Sequence, residues 1–264
     1  MKTRKNYWGI AGRMIAVWGF WILLWFVCAW AMDLELLLPS PVHTARALGT
    51  LLSTMLFWKS LGLSMLRVLL GILLSLVIGT LLGVLTSVSS LCRALFSPLI
   101  NAMKSVPVAC FIVLAFLWMD TATIPIFITA LIVIPIVWSN VVQGIASTDV
   151  HLREMTAIFG FSRVKKLRTL YVPSVFPYFL AACQSALGMA WKAGIAAEVL
   201  APPIFGIGKG IYLAKTDFDS ATLFAWTLVI VLISYTVEKI LVFALRRGAK
   251  FLRLHMGGDG HADT

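Results

Sequence analysis

Charge is the scarcest chemistry in this chain. Of its 264 residues only 12% are charged, with 11 acids against 22 lysines and arginines, while 60% are hydrophobic. The mean hydropathy is +0.95. A water-soluble domain needs a charged coat, so that class is excluded. A polytopic membrane protein fits, because its lipid-facing surface is apolar as well as its core. Cysteine is also sparse. Cys28, Cys92, Cys110 and Cys183 sit in or beside apolar runs with no CxxC pair, which reads as small buried hydrophobes rather than a disulfide or metal framework. The four histidines, His43, His151, His255 and His261, are dispersed without metal-ligand spacing. No Ser/His/Asp or paired-carboxylate arrangement stands out. No GxxxxGK[ST] phosphate loop exists; the nearest text is Gly206-Ile207-Gly208-Lys209-Gly210, so the chain does not hydrolyse ATP by that route.

What the chain has is long apolar runs. Six can be read, at 14–32, 64–88, 98–119, 122–146, 174–198 and 220–243. Each covers a hydrocarbon core of about 30 Å at about 1.5 Å per residue. Backbone groups in lipid must be satisfied within the segment, so the runs are read as helices. The run from Met14 to Met32 is long for a signal-peptide core and rich in tryptophan, which favours a retained anchor over a cleaved leader. Pro107, Pro125 and Pro135 interrupt the third and fourth runs and predict kinks. The organisation expected is a basic N-terminus at 1–13, a membrane domain at 14–248 with a charged loop at 147–173, and a polar tail at 249–264 that is disordered.

A net charge of +11 would suggest nucleic acid in a soluble protein. Here the basic residues follow the positive-inside rule. With the N-terminus inside, the outer segments hold only Arg46, Lys59, Lys209 and Lys215, so both termini and residues 147–173 face the cytoplasm. Segment 39–57 then lies outside. It opens with Pro39-Ser40-Pro41 and reads either as an amphipathic helix along the interface, with Trp58 at headgroup depth, or as a plain connecting helix.

The charged loop HLREMTAIFGFSRVKKLRTLYVP, residues 151–173, carries the most information. Leu152 to Phe159 can form a short helix, and Gly160 can leave the right-handed region at no side-chain cost. Ser162 can cap a second short helix through Lys165, Lys166 and Arg168, and Pro173 suits the first turn of the next span. Two readings stand: a solvated loop, or a handle for a soluble partner.

The loop resembles the coupling loop of ABC-importer permeases, whose pattern is Glu-Ala-Ala, three residues, Gly, nine residues, then Ile-x-Leu-Pro. Glu154 and Gly160 match in register, and Leu170-x-Val172-Pro173 matches the closing element conservatively. Met155 and Thr156 replace the two alanines. The resemblance extends through SLGLSMLRVLLGILLSLVIGTLLG before the loop and QSALGMAWKAGIAAEVL after it, over about residues 40–245, and points to the nitrate, sulfonate and taurine type. It implies an all-α polytopic fold with six transmembrane helices and a cytoplasmic coupling-helix loop between helices 4 and 5. It implies a permease in the bacterial inner membrane that works as two copies with two cytoplasmic ATPases and an extracytoplasmic binding protein. ATP and Mg would be used by the partner ATPase, and this chain would bind no cofactor. Glu154, Thr156, Ala157, Gly160, Arg163, Lys165 and Pro173 are the expected coupling positions. A small anion such as a sulfonate, taurine or nitrate is the implied substrate. The competing class is an ion-coupled secondary transporter, which needs carboxylates near the midplane.

Two further groups stand out. Gly71, Ser75, Gly79 and Gly83 form a small-residue stripe, read as static close packing or as a seam that slides. Lys192 and Glu198 are costly in a span and should face protein or water. At 100° per residue they point about 120° apart, so they do not pair on one straight helix. The expectation is that Glu198 meets Arg67 and that Lys192 faces the pathway, as a charge network or a substrate contact.

Overall fold

The computed structural model describes residues 7–257 and is helical throughout, with no strand among the described residues. Residues 1–6 of the basic N-terminal segment and 258–264 of the tail lie outside them. Helix α1 is Tyr7–Met32, α2 Pro41–Leu52 and α3 Met55–Val88. A bent pair follows, α4 Ser90–Ser105 and α5 Val108–Ala115, then α6 Ile124–Ala146. The loop contains α7 Val150–Ile158 and α8 Arg163–Lys166, and a π-helical turn at Leu167–Tyr171 leads into α9 Val172–Leu200. Helices α10 Ile207–Thr216 and α11 Ser220–Gly257 close the chain. Among the described residues five helical stretches are long and apolar enough to cross a membrane, six crossings if the bent pair counts as one.

Three boundaries differ from the sequence expectation. The third run, expected as one helix over 98–119, is broken: α4 and α5 meet at 104°. Pro107 is the cause. It has no N–H, and its ring pushes Val106 to extended backbone (φ −84, ψ 132), which ends α4 rather than kinking it. The outer helix expected over 39–57 stops at Leu52, because Thr54 caps a new helix by accepting from the Phe57 N–H at 3.3 Å. Helix α3 therefore starts nine residues before the expected position 64, and Trp58 belongs to its first turn. Helix α11 runs past the expected end of the sixth span to Gly257, so the first part of the expected disordered tail is helical. Pro125 occupies the first turn of α6, where its missing N–H costs nothing, and only Pro135 lies inside that helix.

The core is the triangle of α3, α6 and α9. Ile124, Ile128, Val133, Val137 and Val141 of α6 are fully buried. The stripe on α3 explains how they get there. A Cβ at Gly71 would stand 2.6 Å from Thr129 Cβ, one at Gly79 2.8 Å from Val137 Cβ, and one at Gly83 2.7 Å from Val141 Cγ1. The facing residue advances in step with the glycine, so α3 and α6 run parallel in a single register. Ser75, between the glycines, is fully buried and donates to Gly71 O at 2.6 Å. Small residues let the backbones approach this closely, and dispersion supplies the attraction where lipid leaves no hydrophobic drive between helices. Outside this triangle Phe57 stacks on Trp226 at 5.1 Å, joining α3 to α11. Trp25 of α1 stacks on Phe224 at 5.9 Å and donates its Nε1–H to Pro39 O at 3.1 Å.

Candidate functional site

At one end of the bundle the loop forms a bracket. Asp149 caps α7, its carboxylate accepting from the His151 N–H at 2.8 Å. Gly160 ends the helix with φ +62, a conformation that disfavours a Cβ. The Phe161 N–H reaches Thr156 O at 3.1 Å and the Gly160 N–H reaches Ala157 O at 3.2 Å. That pair of bonds is a Schellman closure, which fixes the reversal. Ser162 then caps α8 through the Lys165 N–H at 3.3 Å. Helix α8 ends at Lys166, before Arg168, where the expected second helix passes into the π turn. The π turn has a local reason. Pro173 cannot bond to the carbonyl four residues back, and its ring would crowd it. The wider turn, closed by the Val172 N–H on Leu167 O, moves that carbonyl aside. The chain from Arg163 to Leu200 is consequently one continuous helical path.

The halves of the bracket enclose a groove of about 390 Å³ that gathers Glu154, Thr156, Ala157, Lys166 and Tyr171. Thr156 is the buried residue of α7, and its hydroxyl donates to Arg153 O at 2.8 Å. Arg163 and Lys165 are exposed, and the Lys165 ammonium lies 4.2 Å over the Phe161 ring. Pro173 lies in the first turn of α9. Sequence reasoning missed the apolar tip around Gly160: Ile158 is 82% exposed, Phe159 69% and Val164 74%. Large apolar side chains set in a charged loop were the available signal.

Near the opposite end, the structure brings Arg67 and Glu198 together, Nη1 to Oε1 at 2.9 Å. Glu198 is only 1% exposed. Its second oxygen accepts from the Ser64 hydroxyl at 2.6 Å and from the Gly208 N–H at 3.2 Å. Arg67 also donates to Phe205 O at 2.8 Å, and the Ile207 N–H donates to Ser64 Oγ at 2.9 Å. The carboxylate thus sits at the N-terminus of α10, where helix N–H groups favour negative charge. A Cβ at Gly208 would fall 2.3 Å from the Glu198 carbonyl carbon, so the glycine is what admits the approach. Ser64 and Gly208 carry no sequence signal of their own. The cluster ties α3, α9 and α10 into one unit.

Lys192 does not join it. It lies on an exposed face of α9 with Ala181, Ser185, Met189 and Ala196. Met189 also lines a cavity of about 580 Å³ beside the α4–α5 break, with Lys104, Ser105 and Ser139. Lys104 Nζ lies 5.3 Å over the Trp138 ring. Among the described residues no group of three or more His, Cys, Asp or Glu is placed to hold a metal ion.

A bundle of long apolar helices with a capped bracket at one end and a buried ion pair near the other defines a polytopic membrane protein. Residues 75–250 match the family described as binding-protein-dependent transport system inner membrane component, and the chain belongs to that family. It is 33% identical over 165 residues to the putative aliphatic sulfonates transport permease protein SsuC of Escherichia coli, covering 62% of this chain and 63% of that one. Identity to the taurine transport system permease protein TauC of the same organism is 24% over 237 residues, covering 87% and 83%. The bicarbonate transport system permease protein CmpB of Synechococcus elongatus is 27% identical over 161 residues, covering 60% and 56%. In fold the chain resembles a chain of a bacterial alginate ABC transporter solved with an alginate pentasaccharide-bound periplasmic protein. The TM-score is 0.61 at 12% identity, covering 94% of this chain and 98% of that one. The family is the membrane permease component of bacterial ABC importers and is not itself an enzyme.

Proposed function

We propose that this chain forms the translocation pathway of an ATP-driven importer for a small anion. It works as two copies with two cytoplasmic ATPases and an extracytoplasmic binding protein, and both termini are cytoplasmic. The observation that carries the reading is the bracket: an exposed apolar tip of Ile158, Phe159 and Val164 on a rigidly capped turn, in a chain of this family. ATP draws the ATPases together, and Glu154, Thr156, Ala157, Gly160, Arg163, Lys165 and Pro173 transmit the movement. The continuous helical path from Arg163 carries it into α9.

The face of α9 bearing Ala181, Ser185, Met189 and Lys192 is small and partly polar, unlike the leucine-rich outer face of α3, and suits a pathway between copies. Lys192 and Lys104 would attract an anion there, and the sulfonate and taurine names of the relatives agree with that chemistry. The geometry gives an ion-coupled carrier little support, because Glu198 has its oxygens committed to Arg67, Ser64 and Gly208. The test is co-purification with the candidate ATPases. Ile158→Asp should abolish ATPase retention and transport-linked hydrolysis while the bundle stays folded. Retention and coupling at wild-type levels would overturn the reading.

A further inference from the structure

Among the described residues, four cations at the bracket end of the bundle form no ion pair with a carboxylate. Arg93, Arg153, Arg163 and Lys166 line a cavity of about 790 Å³. Among the described residues the ion pairs are Arg67 with Glu198 and His43 with Glu35, so none of the four is in direct contact with an acid, and Glu154 lies in the neighbouring groove with Arg153 and Lys166. Arg93 commits its Nε to Thr86 O at 3.0 Å, and its terminal nitrogens remain. Among the described residues no acid lines the cavity. Its body is apolar, walled by Val84, Val141, Val175, Phe176 and Phe179.

Depth and direction define what fits. Thr80, the innermost α3 residue of the lining, lies eight residues from the end of α3, or about 12 Å. Phe179 lies seven residues into α9, or about 10 Å. The cavity therefore reaches through much of one leaflet of a core about 30 Å thick. Around α9, Val172, Phe176 and Phe179 are turned about 140° from the face of Ser185, Met189 and Lys192. The cavity therefore lies on a different side of α9 from the proposed pathway.

We infer that this cavity binds one anionic phospholipid from the leaflet on the bracket's side. The phosphate sits among the four cations, and the first part of an acyl chain lies along Val84, Phe176 and Phe179. Basic pockets between membrane helices select anionic headgroups, and the volume is that of a ligand site. A zwitterionic lipid would bring a cation of its own into a rim of cations. A free anion would leave the apolar trough unfilled. Leu167 and Tyr171 of the π turn also line the cavity, so the lipid touches the joint between bracket and α9.

The full-length chain, with the subunits it retains, is reconstituted in equal parts phosphatidylglycerol and phosphatidylcholine. It is then re-extracted in mild detergent, and native mass spectrometry counts the bound lipid. Phosphatidylglycerol should be retained in preference to phosphatidylcholine. Arg93→Gln lies on α4, outside the bracket, and should reduce retention about fivefold. Val84→Trp fills the trough with the charges intact and should reduce it as well; Val84 is 41% exposed, so the ring has room. Equal retention of the two lipids, or wild-type retention in both variants, would overturn the assignment. Loss in Arg93→Gln without loss in Val84→Trp would make the rim a free-anion site and also overturn it.

Discussion

Replacing Glu198 by glutamine removes one charge from a site with 1% exposure for the acid and 11% for the Arg67 side chain. The amide keeps the shape but offers one acceptor where three donors converge: the guanidinium, the Ser64 hydroxyl and the Gly208 N–H. Arg67 would retain only Phe205 O. Breaking a buried pair from one side costs about 3–5 kcal/mol, because the remaining charge stays desolvated. In a chain of this size that lowers the melting temperature by about 6–20 °C. Scanning fluorimetry in detergent reads the change through the tryptophans, Trp226 in particular, which packs on Gly210 of α10. Removing both charges, as Arg67→Met with Glu198→Met, should bring the midpoint back above either single variant, since no orphaned charge remains. Single variants within about 2 °C of the parent would match a solvent-exposed pair and refute the account. A double variant no better than the worse single one would refute it too.

Four further outcomes are expected. Gly79→Leu should cost about 1–3 kcal/mol or prevent folding, since its Cβ alone meets Val137 Cβ at 2.8 Å, whereas Gly62→Ala, with open space, should be neutral or slightly stabilising; melting of the two variants checks this. Gly160→Val forces a branched side chain into φ +62 at a cost of about 1–2 kcal/mol and should weaken ATPase retention more than Gly160→Asn, as read by co-purification. Pro107→Ala frees Val106 to continue the helix, so spin labels at Leu95 and Val113 should separate from under about 20 Å toward about 27 Å in pulsed dipolar measurements. Lys192→Glu should reduce uptake of an anionic substrate in proteoliposomes without changing the melting temperature, because the side chain is exposed and makes no ion pair among the described residues.

The sequence showed most where a single residue carries a local cost. Gly160 and Ser162 announced the turn through backbone freedom and capping, and the observed bonds close there. Arg67 and Glu198 could be matched because charges within a span demand partners, and depth along the helices left few candidates. Elements that depend on competition between local rules were harder to read. A proline in a membrane helix is usually absorbed as a bend, so nothing in 98–119 marked Pro107 as a full break. Ser53-Thr54 offered a cap inside an amphipathic run whose periodicity masked it. The π turn needed a helix continuous on both sides of Pro173, which only packing decides. Ser64 and Gly208 are ordinary small residues until tertiary contact places them on the carboxylate.

Helices α3 and α6 meet in one register, with backbone nearly touching side chain at three of the four levels from Gly71 to Gly83. A rotation of either helix about its axis, or a slide by one residue, would drive Thr129, Val137 and Val141 off their glycines at the same time. The pair therefore behaves as a single strut. A relative movement of the two would have to be taken up outside their contact, and the break at Pro107, where α4 and α5 already part at 104°, lies outside it.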